Sequence, residues 1–141
     1  MNKLLLLLLA VCICSCAGPG GFFSARFVLK VGDLNYTDDN GQTVSQDRAK
    51  YEWIFSYDKN VADEQQQIAK KAESKVVALR QGLRNKKLSV NDYKSQNEKL
   101  SNAMKNLEDK GREKVNDGGF NSLTVEKEFI DAWYDLKNLV K

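Results

Sequence analysis

The spacing of the apolar residues changes once along the chain, and this change constrains the fold more than any other feature. Between residues 22 and 57 apolar and polar residues alternate, as in Phe27, Leu29 and Val31, which is typical of strands with one buried face. Between residues 61 and 110 apolar residues recur every three or four positions, which is the helical period. The order predicts an α+β fold with N-terminal antiparallel β-strands packed on a C-terminal helix and an antiparallel helical hairpin in the middle.

The first half of the chain is predicted to form antiparallel strands joined by a tight turn at residues 38–41. Asn40 and Gly41 end this turn, and both residue types tolerate the positive φ angles that tight hairpins require. A second alternation follows, formed by Tyr51, Trp53, Phe55 and Tyr57. We predict a strand here, and a helix over residues 46–57 is the alternative that the sequence leaves open.

Two helices joined by a short turn are predicted between residues 60 and 110. Asn60 is suited to cap the first helix. Ser89, with Asp92 three residues later, has the pattern of a capping box at the start of the second helix. Gly111, and then residues 116–119, are expected to break that helix. Because the connection is short, the two helices are predicted to be antiparallel neighbours.

The apolar residues of this helical hairpin form a narrow stripe, which we call the hairpin seam. We predict that the seam contacts a partner protein or a second copy of the chain, through Leu79, Leu83, Tyr93, Asn97, Leu100 and Met104. Its alternating spacing of three and four is typical of a coiled coil. A lone polar residue in such a seam either fixes the register or lies at the edge in water, and the sequence leaves both open for Asn97.

Residues 79–100 contain a leucine-rich first helix, a turn, a Ser cap, an acidic residue, an aromatic residue and a closing leucine. These are Leu79, Leu83, Leu88, Ser89, Asp92, Tyr93 and Leu100. The set resembles the short helical-hairpin oligomerisation domain called SHOCT. The turn glycine of that family is missing here, and Lys86 stands near its place. The resemblance implies self-association and nothing more specific.

A third helix is predicted from Leu123 to Val140. Its apolar stripe is broader than a coiled-coil seam, so we expect it to pack against a wide surface such as the N-terminal sheet. The large aromatic residues of both halves are expected to share this core: Trp53, Phe120, Phe129 and Trp133.

Residues 1–16 have the pattern of an export signal. A positive start at Lys3 precedes an apolar run that is too short to span a bilayer but has the length of a signal-peptide core. Ile13, Ser15 and Cys16 follow as an aliphatic residue, a small residue and a cysteine. This order resembles the lipobox of bacterial lipoproteins, which implies cleavage before Cys16, acyl chains on Cys16, and a lipid anchor in the cell envelope at the outer membrane or cell surface.

The segment after this leader is predicted to be a tether. Residues 17–21 are small and flexible, and residues 22–141 are expected to form one small α+β domain with its helical hairpin at residues 60–110. Ordinary secretion is the alternative, because Ser15 and Ala17 also suit a standard signal peptidase. All three cysteines lie in the leader, so we expect a domain without a disulfide.

The residue types present argue against an enzyme. The chain has no histidine, which is the commonest general base and metal ligand. The acidic turn is predicted to be a plain turn, because counting from Asp33 as first ligand puts Asp38 where a calcium loop requires glycine. We therefore predict no catalytic residue, no metal and no cofactor.

The charge is distributed unevenly along the chain. Residues 61–114 contain 13 Lys or Arg and 8 Asp or Glu, whereas residues 115–141 contain 3 and 5. This pattern favours a solvated helical face, and a basic face for anionic lipid or another acidic partner is the alternative. Acidic residues interrupt the basic ones throughout, so a nucleic-acid partner is not expected.

Together these features predict a cell-envelope lipoprotein that acts by protein–protein interaction or self-association, as an assembly, adaptor or structural subunit. A free secreted effector or inhibitor that binds a host or competitor protein through the turn at residues 38–41 is the alternative.

Overall fold

The computed structural model describes residues 25–116 and 123–141, which form an α+β fold with a helical hairpin. Its strands are β1 (Arg26–Val31), β2 (Leu34–Thr37), β3 (Thr43–Gln46) and β4 (Ala49–Ile54). Its helices are α1 (Lys59–Arg84), α2 (Val90–Asn116) and α3 (Leu123–Leu139). The predicted export signal and tether lie outside the described residues. None of the helices described is long and apolar enough to cross a membrane.

The strands form two antiparallel pairs, and along the chain the second pair lies between the two strands of the first. In the first pair β1 lies beside β4, with Phe27 opposite Trp53, and in the second β2 lies beside β3, with Tyr36 opposite Val44. Side chains alternate between the two faces of each strand, so Leu29 and Trp53 are buried while Val28 is exposed. The alternation therefore predicted strands correctly, including strand over part of residues 46–57.

The hairpin helices begin at caps, one predicted and one not. The Ser89 hydroxyl accepts from the Asp92 amide at 3.0 Å, as the capping-box pattern predicted, and it donates to the Asp92 carboxylate at 2.6 Å. The Asn60 prediction was wrong, because Asp58 caps α1 instead. The Asp58 carboxylate accepts from the amides of Asn60 and Val61 at 2.9 and 3.3 Å, and a charged acceptor suits the positive end of a helix.

The predicted break at Gly111 was also wrong, because α2 continues through this residue. The helix ends at Asn116, the first residue of the predicted break at 116–119. Gly111 is buried where α2 meets β4 and α3. A Cβ atom at this position would lie 3.3 Å from Ile54 Cγ1 and 3.7 Å from Phe129 Cε2. The glycine is thus a point of close packing, and the helical contacts around it outweigh its low helix propensity.

The core lies where the β1–β4 pair, α2 and α3 meet. Trp53 is 0% exposed, and its indole Nε1 donates to the Met104 carbonyl of α2 at 3.0 Å. The Trp53 ring meets Trp133 of α3 edge-on, with 6.0 Å between centroids. The Phe129 and Trp133 side chains are also buried. The predicted shared core is therefore confirmed for these three aromatic residues, and Phe120 lies outside the described residues.

Candidate interaction surfaces on the helical hairpin

The hairpin seam lies inside the chain's own core. Five of its six side chains are buried, and Asn97 is half-buried. The buried five are Leu79, Leu83, Tyr93, Leu100 and Met104. They pack in the same cluster as residues of the strands and of α3. The structure therefore brings the predicted seam residues together, but within one chain.

Tyr93 shows how the seam joins the hairpin to the strands. Its hydroxyl donates to the Gln46 side-chain oxygen of β3 at 2.6 Å. Burial raises the pKa of the Tyr93 hydroxyl above its usual value, because the charged phenolate would be poorly solvated there. At neutral pH this side chain is therefore a neutral donor and a structural contact.

Binding of another protein by the seam stays a prediction. With these side chains buried, a partner could reach them only if α1 and α2 separated. Such an opening would expose about as much apolar surface as it later covered, so it would cost stability before any binding occurred. The exposed faces of the hairpin are better placed for contacts by the folded chain.

The turn between α1 and α2 contains a residue in a left-handed conformation. Lys86 has a φ of 56°, which glycine adopts more readily than other residues. This is near the place where the hairpin family that the sequence resembles has its turn glycine. The Lys86 ammonium donates to Asp39 at 2.5 Å, and this hydrogen bond raises the pKa of Lys86. The hairpin turn is thus linked to the β2–β3 turn.

A cleft of about 380 Å³ separates these two turns. Its lining includes Asp39 and Asn40 from the strand side, and Lys86 and Asn91 from the helix side. Because the Lys86 and Asp39 side chains bind each other across it, their charges offset one another.

The Asp38 side chain of the acidic turn at residues 38–41 binds backbone amides of the turn. One Asp38 carboxylate oxygen accepts from the amides of Asn40 and Gln42 at 3.0 and 2.7 Å. Gly41 takes a φ of 77°, as a tight turn requires. In the part of the chain that the structure describes, no group of three acidic, His or Cys side chains is arranged to hold a metal ion.

The cations near α3 are held in ion pairs. Lys110 contacts Glu128 and Glu113 at 2.7 and 2.9 Å, and these hydrogen bonds raise its pKa to about 12. The Lys114 ammonium lies 2.6 Å from Glu126 and 4.6 Å from the centroid of the Phe129 ring. The Lys110–Glu128 and Lys114–Glu126 pairs join α2 to α3.

The sequence did not indicate that Lys114 is buried. Its side chain is only 9% exposed, although lysines are rarely buried unless paired. A signal was present in retrospect, because position 114 continues the inward row of α2 that passes through Leu107 and Gly111. The Glu126 contact on α3 explains how a charge is tolerated at that position.

The cations at the other end of the hairpin have a different environment. Residues 70–99 contain nine Lys or Arg and three Asp or Glu. Among the ion pairs of the described residues, that of Lys86 with Asp39 is the one that involves a cation from this segment. Of the remaining cations, Arg80 is already bound within the chain, because its guanidinium donates to the Gly32 carbonyl at 2.6 Å. The exposed ones are available to an external anion: Lys70, Lys71, Arg84, Lys87, Lys94 and Lys99.

A second exposed surface lies where α1 meets α3. Lys137 of α3 binds Glu64 of α1 at 2.5 Å, and its ammonium lies 5.4 Å from the centroid of the Tyr134 ring. Val61 lies one turn before Glu64 and is 37% exposed, and Tyr134 is 49% exposed. We call Val61, Glu64, Tyr134 and Lys137 the α1–α3 patch.

Comparisons with protein-family models, curated proteins and solved structures found no match for this chain. The resemblances to a lipobox and to a short helical hairpin therefore rest on the residues quoted above.

Substitution of Leu100 distinguishes a core role for the seam from an interface role. Leu100→Asp places a charge among buried apolar side chains, and we expect it to lower the free energy of unfolding by more than about 4 kcal/mol. The control is Asn102→Asp, which adds the same charge at an exposed position of α2 and should change stability by less than about 0.5 kcal/mol. Urea unfolding followed by circular dichroism measures both. A stably folded Leu100→Asp chain that only sediments differently would show that the seam is an interface.

Proposed function

We propose that this protein is a lipid-anchored component of the cell envelope that acts by binding protein, including a second copy of itself, and not by catalysis. The observation that carries the proposal is Cys16, which ends a leucine-rich leader in lipobox order. Two acyl chains or more on one cysteine provide stable membrane attachment, because each buried methylene contributes about 0.8 kcal/mol.

The short distance between Cys16 and the first residue of the described fold supports this proposal. The carbonyl of Ala25 accepts from the Phe55 amide at 3.1 Å, so the chain joins the fold beside the end of β4. Ala25 lies nine positions after Cys16, and a fully extended segment of that length spans about 30 Å. An acylated Cys16 would hold the domain within this distance of the bilayer.

The α1–α3 patch supports the binding part of the proposal. Tyr134 is exposed beside the Lys137–Glu64 ion pair, and tyrosine is enriched at protein interfaces, whose rim is polar. Self-association is also what the short-hairpin resemblance implies. With the hairpin seam buried, this patch is the surface that we assign to contact with a second copy.

Cys16→Ser tests the anchor. We expect the native chain to fractionate with membranes and to have a mature mass that begins at Cys16 and includes acyl chains, whereas Cys16→Ser loses both properties because no thiol is available for acylation. The matched control is Cys14→Ser, which removes a cysteine from the same leader and should leave the mature mass unchanged. An unmodified mature chain that begins at Gly18 would support secretion, and a chain that retains Met1 in the cytosol would contradict export altogether.

Sedimentation velocity tests self-association through the α1–α3 patch. For a chain that begins at Ala17, we expect the sedimentation coefficient to increase with concentration. Val61→Ser with Tyr134→Ser should weaken this association at least about tenfold, because it removes the exposed apolar surface of the patch. The control is Val115→Ser, at a 51% exposed position on α2. A native chain that is monomeric at every concentration, or equal effects of both variants, would contradict the assignment.

A further inference from the structure

The outer face of α1 has no exposed acidic side chain between Lys70 and Arg84. Its exposed residues are Lys70, Lys71, Ser74, Val77, Ala78, Gln81 and Arg84. Glu73 is the acidic residue of this stretch, and it is half-buried at the flank. At 1.5 Å per residue the face is about 21 Å long. We call it the basic face of α1.

The charges of the basic face are not neutralised within the described chain. Lys70, Lys71 and Arg84 are in none of the ion pairs found there, whereas Lys110, Lys114 and Lys137 near α3 all contact carboxylates. Unpaired like charges along one helix face repel one another, so this arrangement costs free energy unless an external anion offsets it. The contrast between the unpaired cations of the basic face and the paired cations near α3 thus points to an anionic partner.

We propose that the basic face of α1 binds anionic phospholipid headgroups of the membrane in which the chain is anchored. This inference deepens the proposed function, and its geometric part rests on the lipid anchor at Cys16. The tether reaches about 30 Å from the start of the fold, and α1 has 26 residues, or a length of about 39 Å. A tether of this reach leaves the domain free to lie with α1 along the bilayer.

The composition of the basic face favours lipid over an acidic protein. Protein interfaces depend on buried aromatic anchors, and the exposed positions of this face include no aromatic residue. Its exposed apolar residues, Val77 and Ala78, are small. Several lysine or arginine side chains beside one another are sufficient for an anionic bilayer, since headgroup charges form a continuous plane and require no shaped pocket.

Vesicle binding of an unacylated chain tests the inference. We would use the chain that begins at Ala17, which retains every described residue, with vesicles of phosphatidylcholine alone or mixed with phosphatidylglycerol. We expect binding to the mixed vesicles only, with an affinity that decreases as salt is added, because screening weakens attraction between exposed charges. Cosedimentation of the chain with the vesicles measures the bound fraction.

Two double variants locate the binding surface. Lys70→Glu with Lys71→Glu reverses two charges on the basic face, and we expect vesicle affinity to fall about 25-fold or more, since each cation at an anionic surface contributes about fivefold. The matched control is Lys30→Glu with Lys141→Glu, which makes the same change in net charge at exposed positions on β1 and at the C-terminus. The control should lose less than about threefold.

Each other result would overturn the inference. Equal losses in both double variants would show that net charge alone drives binding, and equal binding to phosphatidylcholine vesicles would show that charge is not recognised. Binding to polyglutamate but not to phosphatidylglycerol vesicles would show that the face binds an acidic polypeptide. Because the chain used here is unacylated, these results do not depend on Cys16. Acylation of Cys16 is tested separately by the mass of the mature chain.

Discussion

Burial of Trp53 is the interaction on which the rest of the structure depends. Its side chain is 0% exposed, and its indole nitrogen donates to the main-chain carbonyl of Met104 at 3.0 Å. Phe27 stacks on it from β1 at 5.6 Å, and Trp133 meets it from α3 at 6.0 Å. A two-stranded ribbon is marginal by itself, so this one residue, which joins the ribbon to two helices, determines how the layers fit together.

The packing of this core determines which surfaces remain exposed for binding. The seam side chains that face inward, such as Leu100 and Met104, are already used to bury apolar surface. The cations that remain on the surface of the helices differ in whether they form ion pairs. Near α3 the cations of α2 form ion pairs between elements, as Lys110 does with Glu128, whereas the outer face of α1 retains cations without such pairs. The membrane contact that we propose follows from this difference, because folding leaves the cations of α1 unpaired and able to bind anionic headgroups.

The sequence predicted the elements of this fold and much less of its packing. Periodicity identified strands and helices, and the Ser89–Asp92 pattern located the start of α2, because these signals are local. Residue type alone does not decide between two possible caps that are two positions apart, and Asp58 caps α1 instead of Asn60 because its carboxylate reaches two amides. The continuation of α2 through Gly111 depends on Ile54 and Phe129, which are distant in sequence.

The candidate site was predicted less well, for a related reason. A helical stripe of apolar residues indicates that a face is buried but not whether the chain itself or another chain covers it. For Leu79, Leu83, Tyr93, Leu100 and Met104, strands and a third helix supply that cover. The sequence likewise did not indicate that the charged Lys114 is buried, since its burial depends on Glu126 of another helix. The uneven charge of the middle segment was visible in the sequence, but only the ion pairs show which cations remain unpaired.

A fluorophore at Ser74 tests most directly whether the outer face of α1 faces the membrane. A chain that begins at Ala17 has no cysteine, so Ser74→Cys and, at an exposed position on α2, Asn106→Cys can each be labelled at one site. With phosphatidylglycerol vesicles whose headgroups carry a quencher, our account predicts strong quenching at position 74 and little at position 106. Equal quenching at both positions, or stronger quenching at 106, would contradict it.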